Sequence, residues 1–111
     1  SPMPVDREPL VVGKAAGTVK YPFYSIYGYE TPIRSDAEWC RVVGKPNGLT
    51  LDTLQISYDR LPDGIEERVA TLTVSDSIST YDIKVTENVN GVSSIESYGR
   101  EGFYLSVCFQ L

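Results

Sequence analysis

Short runs in which apolar and polar residues alternate dominate the chain, and turn-forming residues separate them. The clearest two are residues 68–75 (RVATLTVS) and 80–86 (TYDIKVT), which a short serine-rich turn joins. In each run every second residue is apolar, which is the period of a strand with one buried face. The two runs therefore predict a β-hairpin.

Further strands are predicted at residues 10–12, 18–24 (TVKYPFY), 49–58 (LTLDTLQISY) and 103–109 (FYLSVCF), with a weaker one at 92–97. Pro22 has no backbone N–H, so its strand is predicted at a sheet edge or a bulge. Turn signals such as Pro62-Asp63-Gly64 separate the runs, and no segment has a helical period. The pattern predicts an all-β sandwich or barrel.

The stretch SDAEWCRVV, residues 35–43, contains the only tryptophan, Trp39. A large aromatic residue at the start of a short strand is typical of a side chain that fills a sandwich core. Cys40 follows it, and Cys108 is the only other cysteine. Two hypotheses stay open: a disulfide, which would close a long loop and stabilise the fold by ~4 kcal/mol, or two separate, half-buried thiols.

Size and charge narrow the class of protein. A chain of 111 residues with 41% hydrophobic and 23% charged residues fits one globular domain. It has no apolar run long enough for a transmembrane helix. Its net charge of −5 and its scattered basic residues predict no binding to nucleic acid. Residues 1–9 (SPMPVDREP) combine three prolines with three charges, which predicts a flexible linker or tail.

The sequence offers little catalytic chemistry. It has no histidine, and no GxSxG, P-loop or CxxC motif. Asp59, Asp63 and Asp76 lie in predicted turns and are interpreted as solvated turn residues rather than calcium ligands. We therefore predict a protein that is not an enzyme and that has neither a metal site nor a cofactor.

Five aromatic residues fall within residues 21–29 (YPFYSIYGY). Sugars stack their apolar faces on exposed rings, and polar neighbours orient their hydroxyl groups. The candidate glycan-binding residues are Tyr24, Tyr27, Tyr29, Glu30 and Arg34. The alternative is that these rings fill the core or cover its edge. Joint exposure of the three tyrosines on one patch would favour glycan binding, whereas burial or scatter would favour a spacer.

The order of these segments resembles the BACON (Bacteroidetes-associated carbohydrate-binding often N-terminal) domain family. The matching residues are Ser35, Asp36 and Trp39 of a Ser-Asp-x-x-Trp segment, and Arg68, Ala70, Thr71, Leu72, Thr73 and Val74 of an Arg-x-Ala-Thr-hydrophobic-Thr-Val strand. The family's closing Val-x-Gln is represented by Val85 and Glu87, so glutamate replaces glutamine.

The resemblance implies an immunoglobulin-like sandwich of about seven strands over residues 10–87, with structural roles for Trp39 and Arg68. Residues 88–111 are expected to form an added C-terminal hairpin that completes or extends the sandwich. The resemblance also implies an exported protein of Bacteroidetes, at the cell surface with or without a lipid anchor, or in the periplasm.

The expected function is non-catalytic binding or positioning of glycan in the bacterial envelope. The partner would be a polysaccharide, a glycoprotein glycan or another domain of the same protein. The alternative is a structural spacer or protein–protein interaction domain of a larger surface protein, with no ligand of its own.

Overall fold

The computed structural model describes residues 9–91, which form seven strands. They are β1 (Leu10–Val12), β2 (Gly17–Tyr24), β3 (Arg34–Ser35), β4 (Cys40–Val43), β5 (Leu51–Tyr58), β6 (Glu67–Ser75) and β7 (Thr80–Asn88). Among these residues, no helix has the length and apolarity that crossing a membrane requires.

The strands form two sheets, with the orders β1-β7-β6-β3 and β2-β5-β4. Strand β1 pairs parallel to β7, and all other pairs are antiparallel. The predicted all-β, immunoglobulin-like sandwich of about seven strands is confirmed. The predicted hairpin is β6–β7, and Pro22 lies on an edge strand because β2 pairs only with β5. The predicted linker, apart from Pro9, lies outside the described residues. So does the predicted C-terminal hairpin from residue 92 onward, and its first residue, Asn88, is the last residue of β7.

The core follows from the alternation. In β6 the side chains of Ala70, Leu72 and Val74 are fully buried. Their register partners in β7, which are Val85, Ile83 and Tyr81, lie beside them on the same inner face. From the other sheet come Val19, Tyr21, Phe23, Leu54, Ile56 and Tyr58. Phe23 of one sheet packs edge to face on Tyr81 of the other, with ring centroids 5.8 Å apart, so an aromatic contact joins the two sheets.

Each sheet also has an outward face, and the two faces lie on opposite sides of the sandwich. We call the outward side chains of β2, β5 and β4 the three-stranded face; they are Thr18, Lys20, Pro22, Tyr24, Leu51, Thr53, Gln55, Ser57, Arg41 and Val43. The outward side chains of β1, β3, β6 and β7 form the four-stranded face, which includes Val11, Arg34, Val69, Thr71, Thr73, Asp82 and Lys84.

Candidate functional site

The three tyrosines of the predicted glycan site have different environments. Tyr24 and Tyr27 are 44% and 59% exposed, whereas Tyr29 is only 8% exposed. The ring of Tyr29 packs edge to face on Phe23, with centroids 5.3 Å apart. The expectation that all three rings share one exposed patch is therefore not met, because Tyr29 belongs to the core.

Tyr29 instead anchors the loop between β4 and β5. Its hydroxyl donates to Oδ2 of Asp52, and the same oxygen accepts the backbone N–H of Asn47 at 2.9 Å. Burial raises the pKa of Tyr29, and the hydrogen bond from Tyr29 lowers the pKa of Asp52. The backbone N–H of Tyr29 also donates to the carbonyl of Gly48 at 3.1 Å.

Two loops meet closely at this end of the sandwich. Gly28 and Gly48 have φ values of 74° and 72°, in the left-handed region that favours glycine. A Cβ on Gly28 would lie 2.7 Å from the carbonyl oxygen of Gly48. The backbone N–H of Ser25 donates to the carbonyl of Thr50 at 2.8 Å. The segment after β2 is thus held against the segment before β5.

Five exposed apolar side chains lie on these two segments, and we call them the apolar end: Tyr24, Ile26, Tyr27, Leu49 and Leu51. Tyr24 and Leu51 are register partners on the three-stranded face, and Leu51 is 67% exposed. Sequence reasoning missed Ile26, Leu49 and Leu51. Leu51 could have been found, since it has the parity of Thr53 and Gln55 rather than that of the buried Leu54.

The structure does not bring Arg34 to the tyrosines. Arg34 pairs with Thr73 and points outward from the four-stranded sheet, whereas Tyr24 points outward from the three-stranded sheet. The grouping of Arg34 with Tyr24 is therefore corrected, because the chain crosses between the sheets in the intervening residues. Glu30 is exposed, and its backbone N–H donates to the carbonyl of Ser75 at 2.7 Å, at the end of β6.

The interpretation of Asp76 as a solvated residue is wrong, because its side chain is buried. Oδ1 accepts the backbone N–H groups of Ile78 and Ser79, at 2.7 and 2.6 Å. Oδ2 accepts the hydroxyls of Ser25 and Tyr81, at 2.9 and 3.3 Å. The backbone donors hold the pKa of Asp76 below its usual value. Asp76 therefore ties the β6–β7 turn to the end of β2.

The other two acidic turn residues are exposed and form ion pairs. Asp59 pairs with Arg41 at 3.1 Å, and Asp63 pairs with Arg60 at 2.9 Å. Within residues 9–91 there is no group of three or more histidine, cysteine or carboxylate side chains that could hold a metal ion.

A second polar cluster lies where β6 begins and β7 ends. Glu87 is fully buried, and its Oε1 accepts a hydrogen bond from Nε of Arg68 at 2.6 Å. Its Oε2 finds no donor among the described residues. The guanidinium of Arg68 lies over the ring of Trp39, 4.2 Å from its centroid, and donates to the carbonyl of Arg60 at 2.9 Å.

Trp39 is half-buried and packs against the core from its edge, rather than filling the core from within. Cys40, the next residue, is fully buried. Burial, together with the negative charge of Glu87, raises the pKa of the Cys40 thiol to about 11. Cys108 lies outside the described residues, so the disulfide stays a prediction.

The strands and the apolar end together describe a small β-sandwich, and one solved structure with a similar fold was found. No family model and no curated protein matches the chain, so the resemblance to BACON domains stays a prediction. A solved structure of the Bacteroides ovatus GH5 xyloglucanase in complex with a XXXG heptasaccharide is similar, with a TM-score of 0.63 and 18% identity. The match covers 79% of this chain and 18% of the enzyme, and at this identity it shows the fold alone.

Proposed function

We propose that the chain is a non-catalytic module of an exported protein, in which the apolar end binds glycan or positions a partner on glycan. The observation that carries the proposal is the exposure of two aromatic rings at one end of the sandwich: Tyr24, the register partner of the exposed Leu51, and Tyr27 in the segment that follows. Aromatic rings accept the apolar faces of sugars, and the hydrogen bonds that join the two segments would hold the backbone that carries the rings in place before a ligand arrives.

Two observations support a role without catalysis. The sequence has no histidine, which is the commonest general base. The carboxylates that hold the loops of the apolar end, Asp52 and Asp76, accept hydrogen bonds from backbone N–H groups and tyrosine hydroxyls. These bonds lower the pKa of both groups, so neither is suited to donate a proton near neutral pH.

Similarity to other proteins supports the part of the proposal that concerns the setting of this chain in a larger protein. The similar structure is that of a xyloglucanase bound to a heptasaccharide, and its sandwich-like part is a small share of a longer chain. With the resemblance to BACON domains, this favours a module of a larger, exported, glycan-active protein at the cell surface, with or without a lipid anchor, or in the periplasm.

Native affinity electrophoresis against plant and host polysaccharides tests the proposal. We expect at least one polysaccharide to retard the protein, and Tyr24→Ala and Tyr27→Ala to reduce that retardation. Val69→Ala is the matched control, since Val69 is exposed on the opposite, four-stranded face. Retardation unchanged in both tyrosine variants would remove the apolar end as the site, and no retardation by any polysaccharide would contradict glycan binding.

A second function, docking of a neighbouring domain, is favoured by the aliphatic members of the apolar end. Ile26, Leu49 and Leu51 are as exposed as the two rings, and contiguous apolar surface also marks protein–protein contacts. If no polysaccharide binds, attachment of the adjoining domains of the natural protein should protect these side chains from solvent. Hydrogen exchange of residues 24–27 and 49–51, with and without those domains, measures that protection.

A further inference from the structure

The three-stranded face continues the apolar end along the strands. Beyond the Tyr24–Leu51 pair, the register places Pro22 beside Thr53, and Lys20 beside Gln55. From Tyr24 to Lys20 is four residues of extended chain, or about 14 Å. That distance is long enough for more than one pyranose ring to lie along the strand direction.

Charge is distributed unequally between the two faces. The three-stranded face has no carboxylate, and of its two cations, Arg41 is paired with Asp59 at 3.1 Å. The four-stranded face has charges of both signs, including Asp82 and Lys84. The described side chains of the three-stranded face thus include few charges, and none of them is negative.

Two polar side chains of the three-stranded face are free to bind a ligand. Among the described residues, the side chains of Thr53 and Gln55 have no hydrogen-bond partner, and both are exposed. On the four-stranded face, by contrast, the hydroxyl of Thr73 is 3.5 Å from Oδ1 of Asp82. Exposed, unpaired hydroxyl and amide groups beside an aromatic ring can bond the hydroxyls of an uncharged sugar.

We propose that a neutral polysaccharide lies along the three-stranded face, stacked at Tyr24 and hydrogen-bonded by Thr53 and Gln55. This inference rests on the proposed function and adds the class of ligand and the path of its chain. An acidic polysaccharide needs cations to bind it, and the three-stranded face offers a single cation without an ion pair among the described residues, Lys20, while the net charge of −5 of the whole chain adds a general repulsion.

Matched polysaccharide pairs that differ in charge but share a backbone test the ligand class. Suitable pairs are hydroxyethyl and carboxymethyl cellulose, and methyl-esterified and de-esterified homogalacturonan. Separate gels contain xylan, mannan or host mucin glycan. We expect a neutral polymer to retard the protein, its acidic counterpart to retard it less, and the retardation to be insensitive to salt.

Variants on the two faces test the path. Thr53→Ala and Gln55→Ala should each weaken binding about threefold to tenfold, as expected for loss of one hydrogen bond. Thr73→Ala, which removes a threonine from the four-stranded face, should leave binding unchanged. Lys20→Ala measures how much the single positive charge of the path contributes, and the melting temperatures of all variants must match that of the parent protein within a few degrees.

Each alternative outcome has a distinct meaning. Equal or stronger retardation by acidic polymers, lost in salt and in Lys20→Ala, would overturn the neutral ligand class while glycan binding stands. Binding that depends on Tyr27 but not on Thr53 or Gln55 would confine the ligand to the apolar end and overturn the path. No retardation by any polymer would overturn glycan binding by this chain and this inference with it.

Discussion

Substitution of Arg68 by methionine should destabilise the fold far more than an exposed arginine substitution would. Arg68 and Glu87 are register partners on β6 and β7, and their side chains are 21% and 0% exposed. Methionine retains much of the apolar stem of arginine but removes its charge. Glu87 would then be a buried carboxylate with neither oxygen paired among the described residues.

The loss of stability in Arg68→Met can be worked out from the contacts that Arg68 makes. Removal of one partner of a buried ion pair costs about 3–5 kcal/mol, because the other charge is left without compensation. The contact of the guanidinium with Trp39 is worth about 0.5–2 kcal/mol on its own and is lost in the same step. We therefore expect Arg68→Met to lower the free energy of unfolding by about 3–5 kcal/mol for the ion pair, and by up to ~2 kcal/mol more for the lost contact with Trp39. The double variant Arg68→Met/Glu87→Met should recover at least about 2 kcal/mol of this, since it leaves no buried charge.

Urea unfolding followed by the fluorescence of Trp39, the only tryptophan, measures these free energies. Arg41→Met is the matched control, because the Arg41–Asp59 pair is exposed and should cost less than about 1 kcal/mol. The reasoning is refuted if Arg68→Met costs no more than the control, or if the double variant is no more stable than Arg68→Met.

Three further predictions follow from the loops and the core. Gly28→Ala should destabilise the fold by more than Gly64→Ala in the same urea assay: both positions have positive φ, which costs about 1–2 kcal/mol, but only at Gly28 does the added Cβ meet a backbone oxygen, at 2.7 Å. Because the pKa of Asp76 is lower in the folded protein than its ordinary value near 3.8, its ionised form stabilises the fold above that pH. This stabilisation is lost as the pH falls through the lower folded pKa. The free energy of unfolding should therefore fall more steeply with acid in the wild type than in Asp76→Asn. Cys40 is buried and the pKa of its thiol is raised to about 11. In a Cys108→Ser variant at about pH 8, a thiol reagent should therefore label Cys40 no faster than the protein unfolds. Rapid labelling of the native variant would contradict the burial of Cys40.

Alternation predicted the strands well where one face is buried and the other is wet. Over residues 70–74 of β6 and 81–85 of β7 the inward residues are apolar and the outward residues are threonine or charged, so period and burial coincide. The same holds for β5 from Leu54 onward. Strand β3 was not predicted, because its two residues are too few to show a period and are defined by pairing with distant residues of β6.

The candidate site could not be predicted as well, because it lies where the alternation stops. Tyr21, Phe23, Tyr27 and Tyr29 share one parity, yet Tyr27 is exposed while the others are buried. Strand β2 ends at Tyr24, and the positive φ of Gly28 turns the chain before Tyr29 re-enters the core. Parity therefore carries no information across the turn, and only the packing of the loops decides which ring meets solvent.

The buried ion pair shows that more could have been derived from the same pattern. Glu87 has the parity of Tyr81, Ile83 and Val85, so the period of the strand places it inward whatever its charge. Counting seven residues along each strand from the Ser75–Thr80 pair at the turn reaches Arg68 and Glu87. A carboxylate at an inward position requires a cationic partner, and the register of the hairpin supplies one. Strand period and hairpin register together are thus sufficient to predict a buried ion pair, whereas composition alone would place both residues in solvent.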